Sequence, residues 1–566
     1  MLPLVPLACV LAVQVILSVR LLPYAGGDHD DEAIYIYGGH QLIYELLHGG
    51  GSPYYETWYS GAPVIYPIVA ALADHFGGLM LARELSLVFM MSATVLLFLT
   101  ARRLFGYWVG ITATGLFIGL GLTQNIGVMA TYDAMALMLV SAAAYCAVRS
   151  ASSIPCLLLI PLFLLIANAT KYVSVLFDPV VIGMAGLQLT QDGWRRIGQR
   201  IIALGGTTLF LVVVATFLAG SAYVSGILVT TLARQTGNNT IYSGHFTTPT
   251  VIVSQSWEWT GAIIALGVFA LLVSLLRGAQ RGRHAIMLMF LVFAGILVTL
   301  GNIRLHTDQS MNKHDDFGMW FACIPAAYAL AYLADVVRTW WRKIPVLVFA
   351  TIVTVVSGYH YSQPSQLDTY FSLQTLSAYK NSTYKFLGPY LKRGNEEYLL
   401  ASKWDAEMVY DNSSSVGWWQ FFDDTYLKYP IPGRGGDSHG QAQGLACGDP
   451  GQPPPADPHC MYLEGNPAYE AAIRAHWFAL VTLDGDRGLW TDGLILATVK
   501  STPGYVLLSM HGGAPTYIYA PDYPGFKAKV AGRPRGTGVR RQRESARSAG
   551  QGIRDNQWAV LKKLSE

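Results

Sequence analysis

Gly26-Gly-Asp-His-Asp-Asp-Glu-Ala-Ile-Tyr35 follows the first hydrophobic span of the chain directly, and it holds four acids in five residues: Asp28, Asp30, Asp31 and Glu32. Beyond it, residues 32–48 carry Ile34, Leu42, Ile43, Leu46 and Leu47 among their apolar positions, which predicts an amphipathic helix. Acids at a helix N-terminus face unpaired N–H groups and the positive end of the dipole, and stay ionised there. A general base must be ionised. The same cluster also reads as a helix cap with solvated acids beside it.

The rest of the chain places this stretch at a membrane. Of 566 residues, 52% are hydrophobic and only 13% charged, where soluble domains have about a quarter charged. Mean hydropathy is +0.34. Apolar runs of membrane-spanning character fall at 3–23, 79–100, 107–123, 130–148, 154–170, 172–188, 201–227, 258–277, 285–302, 317–337 and 344–361. They predict an α-helical polytopic membrane protein of about eleven transmembrane helices. The pair at 154–188 is joined by a very tight turn at 168–172. The first span has no small-residue cleavage site after it and reads as a retained helix.

Alternate loops differ in charge. One set holds Arg102, Arg103, Arg149, Arg195, Arg196, Arg200, Arg277, Arg281, Arg283, Arg338, Arg342 and Lys343. The other holds few cations: Lys171, Arg234, Arg304 and Lys313. Basic loops stay cytoplasmic, so the acid-rich stretch is expected outside, in a multi-pass protein of the plasma membrane. Its loop, 24–78, reads as two interfacial helices, about 32–48 and 64–76. A Gly-rich aromatic bend separates them, and Gly77-Gly78 ends the second.

After about 362 the composition turns polar and rich in Gly and Pro. Residues 1–363 are therefore expected to form the transmembrane module and 364–530 an extracytoplasmic α/β domain, with a basic, unstructured tail over 531–566. Tyr398-Leu-Leu400, 479–483 and 505–509 read as strands. Residues 466–476 read as a helix with Ala468, Ala472 and Ile473 inward. Of six cysteines, Cys9, Cys146, Cys156 and Cys323 lie in apolar spans. Cys447 and Cys460 flank a polar loop and are expected to form a disulfide outside the cytoplasm. The net charge of +3 implies no nucleic-acid partner, and the Arg-rich run at 533–547 belongs to the tail.

Topology gathers Asp30, Asp31, Glu32, Asp133, Asn168, Lys171, Tyr172, His306, Lys313, His314, Asp315 and Asp316 at the outer face. Polar groups at a membrane boundary are costly and usually face an internal cavity. Acids there can deprotonate a hydroxyl; Lys and His can hold a phosphate.

Several short motifs carry a resemblance. They are Asp31-Glu32-Ala-Ile-Tyr35, Gly51-Ser-Pro-Tyr54, Gly61-Ala-Pro63 with Tyr66-Pro67, Ala82-Arg83-Glu-Leu-Ser86, Ala130-Thr-Tyr-Asp133, Thr170-Lys171-Tyr172 and Lys313-His314. In order, spacing and sidedness they resemble the GT-C glycosyltransferases, nearest the protein O-mannosyltransferase-like and aminoarabinose-transferase-like group. The resemblance implies a polyprenyl-phosphate-linked sugar as donor and an extracytoplasmic glycan, lipid or protein as acceptor. It implies an inverting hexosyl- or pentosyltransferase in which the loop's Asp acts on the acceptor. Ser60-Gly61-Ala62-Pro63 lacks the lysine that relatives carry before this turn, so Lys171, Lys313 or Arg83 would contact the donor phosphate.

On this reading Asp31 is the general base. Glu32 orients the acceptor or Asp31, and Asp30 is both the rival base and the natural cap. Asp28-His29-Asp30 has the spacing of a DxD triplet, whose two carboxylates can share a hard cation such as Mg or Mn; acidic loops also carry such triplets without metal. Asp133 either supports Asp31 and the acceptor or is a satisfied helix-end acid. Lys171 either binds phosphate or snorkels. Tyr172, His306, Lys313 and His314 complete the expected phosphate site. The rival function is a transporter or flippase for a lipid-linked or anionic substrate, which would place ionisable groups at the bilayer midplane and show repeats. No repeat is present.

Overall fold

The computed structural model describes residues 5–19, 21–22, 29–48, 65–189, 193–236, 247–276, 282–308, 310–335, 345, 348, 351–352, 398–401, 421–423, 428–430, 462–464, 466–483, 490–511 and 514–519. The chain forms two compact units, Met1–Tyr469 and Glu470–Glu566.

The first unit is built on helices. In chain order they are α1 (Val5–Val19), α2 (His29–His48), α3 (Ile65–Phe105), α4 (Tyr107–Ile118), α5 (Gly121–Ile126), α6 (Tyr132–Arg149) and α7 (Ile154–Thr170). A 3-10 turn (Tyr172–Phe177) leads into α8 (Asp178–Leu187), followed by α9 (Trp194–Thr236), α10 (Pro249–Leu276), α11 (Gly282–Leu305) and α12 (Met311–Asp335). Among the described residues six segments are long and apolar enough to cross a membrane, in α3, α6, α9, α10, α11 and α12; α1, α4, α7 and the 172–187 segment are shorter apolar helices. The protein is a multi-pass membrane protein. Most of the expected span at 344–361 lies outside the described residues.

The second loop helix ends where expected: within α3 the backbone leaves helical geometry at Gly77 and Gly78, where Gly78 has φ 69° and ψ −173°. That conformation is essentially open to glycine alone, so the pair separates the loop helix from the span that follows. Two expected elements differ in detail. The span at 107–123 is two pieces, α4 and α5, separated at Gly119-Leu120. The segment after Lys171 begins as the 3-10 turn, and α8 starts only at Asp178-Pro179, where Pro suits the first turn.

Packing ranks the helices. In α12, 78% of the membrane-length window is buried, against 11% in α9, so α12 is an inner helix and α9 an outer one. Trp320 of α12 is fully buried and donates its indole N–H to the Ala93 carbonyl of α3 at 2.9 Å. Phe177 stacks on Phe317 and Phe321, with centroids 5.9 and 5.6 Å away. Near its start α3 packs on α2 so closely that a Cβ on Gly39 would lie 1.9 Å from the Pro67 carbonyl oxygen.

The first unit also holds β1 (Tyr398–Ala401) paired in parallel with β2 (Phe421–Asp423), and β3 (Lys428–Pro430) antiparallel to β4 (Tyr462–Glu464). Helix α13 (Asn466–Arg474) buries Ala468, Ala472 and Ile473, the three positions read as inward. The second unit contains β5 (Phe478–Thr482), α14 (Trp490–Ser501), β6 (Tyr505–His511) and β7 (Ala514–Tyr519), with β7 antiparallel to both β5 and β6. The three strands expected from the sequence coincide with β1, β5 and β6; α14 and β7 were not expected. The boundary at 363/364, Cys447, Cys460 and the tail at 531–566 lie outside the described residues.

Candidate active site

Helix α2 begins at His29, three residues before the expected start, so Asp30 is not its cap but lies with Asp31 and Glu32 in its first turn. Ile34, Tyr35, Ile36 and Tyr37 together cover every face of one helical turn, and all four are nearly fully buried, so α2 is enclosed on all sides here. Ile34, Tyr35 and Ile36 pack with Tyr66, Ala70, Ala82, Ala130 and Tyr132 in one apolar cluster beneath the acids. Burial holds the Tyr35 phenol well above its usual value, so it remains a neutral hydrogen-bonding group rather than a base.

Three candidate acids each meet a candidate cation from a distant part of the chain. Lys313, near the start of α12, donates to Asp31 Oδ2 at 2.6 Å. Arg83 of α3 grips Glu32 with two donors, Nε to Oε1 at 3.0 Å and Nη2 to Oε2 at 2.7 Å. Lys171, the residue that ends α7, pairs with Asp133 in the first turn of α6. Helices α6 and α7 are consecutive and packed together, so the start of one meets the end of the other.

The pairs differ in access. The Glu32 and Asp133 side chains are each 1% exposed, whereas that of Asp31 is 42% exposed. The cations are all buried, with Lys313 and Lys171 both at 3%. A buried charge without a partner is costly, and removing one member of such a pair costs about 3–5 kcal/mol. Asp133 is further satisfied by the Thr131 hydroxyl at 2.9 Å. The Lys171 ammonium lies 4.6 Å from the Tyr132 ring centroid and 5.9 Å from that of Phe317, enclosed by aromatic faces.

Tyr132 joins the pairs. Its ring centroid is 4.6 Å from that of Tyr35, and its phenol senses the charges of Asp133, Asp31 and Lys313. Lys171 in turn senses Lys313 and Asp31. Asp31, Asp133, Lys171 and Lys313 therefore form one electrostatic neighbourhood. Deeper on α12, Asp316 is fully buried and accepts from the Thr123 hydroxyl at 2.7 Å.

The remaining candidates enter none of these three pairs. Tyr172 opens the 3-10 turn and is half-buried. His306 is exposed, with φ 54°, and its carbonyl accepts from the Thr247 N–H at 3.0 Å. His314 is buried beside Lys313. Asp28 lies outside the described residues. Among the described residues no group of three or more His, Cys, Asp or Glu is placed to hold a metal. Sequence reading did not single out Tyr35, Thr131 or Tyr132 as site residues, although each sits inside a motif that it quoted.

No family model and no curated protein matches the chain by sequence. Solved structures do match by shape. ArnT from Cupriavidus metallidurans bound to undecaprenyl phosphate aligns over 90% of this chain and 97% of its own, with TM-score 0.54 and 12% identity. The same protein in the apo state aligns over the same shares, with TM-score 0.52 and 13% identity. At that identity the likeness is one of fold alone: this chain shares the overall fold of ArnT.

Proposed function

We propose that this protein is a membrane glycosyltransferase that moves a sugar from a polyprenyl-phosphate donor to an extracytoplasmic acceptor, with Asp31 as general base. The observation that carries the reading is the contrast in access. On a fold shared with a protein crystallised with undecaprenyl phosphate, Asp31 alone among the three paired acids presents an open carboxylate, and a buried lysine stands 2.6 Å from it.

The chemistry follows from that arrangement. Asp31 takes the proton of the acceptor hydroxyl as its oxygen attacks the anomeric carbon. The bond from that carbon to the phosphate oxygen breaks, and the lipid phosphate leaves with the bonding electrons. Attack opposite the leaving group inverts the anomeric centre. Lys313, held beside Asp31, supplies positive charge to the departing phosphate, with Tyr172, His306 and His314 as its expected neighbours. Asp133 and Lys171 set the field around the base. The Asp28 and Asp30 pair remains the proposed position for any Mg or Mn.

Purified protein in proteoliposomes, given a labelled polyprenyl-phosphate sugar and an acceptor extract, should release polyprenyl phosphate and label the acceptor. Movement of intact donor across the bilayer with no cleavage would mean a flippase and would overturn the proposal.

A further inference from the structure

The Glu32 carboxylate is buried and accepts three hydrogen bonds. Its Oε2 accepts from Arg83 Nη2 at 2.7 Å, and its Oε1 accepts both from Arg83 Nε at 3.0 Å and from the backbone N–H of Ala130 at 2.6 Å. Arg83 spends a third donor, Nη1, on the Leu22 carbonyl at 3.0 Å, just beyond α1. All four groups are buried: Glu32 is 1% exposed and Arg83 6%. Residues 127–131 are a non-helical link between α5 and α6, so the Ala130 N–H has no helix partner, and the Glu32 carboxylate supplies its acceptor.

The position of this clamp in the sequence gives it a consequence. Glu32 directly follows Asp31, and Ala130 lies three residues before Asp133. One carboxylate therefore ties the turn that carries the first acid to the link that leads into the second, across 98 residues of chain. Arg83 holds that carboxylate from α3 and anchors the whole to the end of α1. We infer that Arg83 and Glu32 are positioning residues: their clamp fixes Asp31 relative to Asp133 and Tyr132, and neither touches the donor phosphate or the acceptor. This rests on the functional reading above. Arginine suits the position because its fork makes the paired contacts to the carboxylate and the carbonyl contact together, which a lysine cannot do.

The test uses full-length protein in lipid nanodiscs, with Arg83→Lys, Glu32→Ala and the double variant. Amide exchange over 127–131, read by mass spectrometry, should rise at least about tenfold in Glu32→Ala, because Ala130 loses its acceptor. In the transfer assay Arg83→Lys, the conservative variant, should lower kcat by about a hundredfold, the usual cost of misplacing a reacting group by about 1 Å. Its donor KM should stay within about twofold of the wild type. The double variant should be no slower than Glu32→Ala, because both residues act through one clamp. A raised donor KM with unchanged kcat in Arg83→Lys would make Arg83 a donor ligand and overturn the inference, as would unchanged exchange over 127–131 in Glu32→Ala. A wild type that transfers no sugar refutes the functional reading instead, and the clamp is then decided by the exchange result alone.

Discussion

Lys313 and Lys171 are equally buried, yet their partners differ: the Asp31 side chain is 42% exposed and that of Asp133 1%. Lys313→Ala removes the cation beside Asp31 and leaves a carboxylate that water can reach, and donor binding should weaken by about tenfold in a filter assay with labelled donor, with less dependence on salt than the wild type shows. Lys171→Ala instead strands the buried Asp133 carboxylate. It should cost about 3–5 kcal/mol of stability, seen as a lower thermal midpoint, and Lys171→Arg should recover only part of it, because a guanidinium does not fit a site shaped around one ammonium. The sequence showed which residues carry charge near the membrane face, because ionisable groups are conspicuous among apolar spans. It did not show the pairing. Glu32 and Arg83 are 51 residues apart, and Asp31 and Lys313 are 282 apart; no local spacing links them, and only helix packing selects each partner. The role of Thr131 was hidden for another reason. It stands where an N-cap would, but its hydroxyl turns to Asp133 instead of the helix backbone.

Elements were legible where periodicity or glycine controlled them, and less so where packing did. The first turn of α2 follows from the acid cluster, and the break in α3 follows from Gly77-Gly78. The direction in which the chain turns there was not legible, because φ and ψ at a glycine are set by what the two flanking segments pack against. Two glycines, Gly78 at this break and Gly39 in α2, make opposite predictions. Gly78 has an unusual backbone and no atom within 4 Å of a built Cβ. Gly78→Ala and Gly78→Leu should therefore cost about the same, roughly 1–3 kcal/mol of backbone strain. Gly39 is helical but meets the Pro67 carbonyl oxygen at 1.9 Å and Ala71 Cβ at 2.8 Å. There the cost should grow with side-chain size, starting at about 1–3 kcal/mol for Gly39→Ala, and the displaced α2 should carry Asp31 with it. Thermal midpoints and transfer rates for the four variants would separate the two cases; equal losses for Ala and Leu at Gly39 would contradict the close approach of α2 to α3.

On the scale of the whole molecule, alternation of basic and non-basic loops predicts that the acid-rich loop lies outside. A membrane-impermeant thiol reagent applied to intact cells should label a cysteine placed at Ser52 and miss one at Gln280; the reverse pattern would contradict the topology. Cys447 and Cys460 should be joined in protein purified under oxidising conditions, closing a loop of about fourteen residues worth roughly 3 kcal/mol, and peptide mapping that finds both as free thiols would refute the pairing. The fold was legible because hydropathy marks spans directly. What the spans enclose is decided by which acid stays open. The most direct test is a single turnover of donor already bound to the protein, comparing wild type with Asp31→Asn, which keeps the shape of the side chain and removes the base. The wild type should convert bound polyprenyl-phosphate sugar to polyprenyl phosphate and glycosylated acceptor. Asp31→Asn should bind the donor as tightly and react about a hundred- to ten-thousandfold more slowly; transfer at the wild-type rate would contradict the assignment of Asp31 as the base.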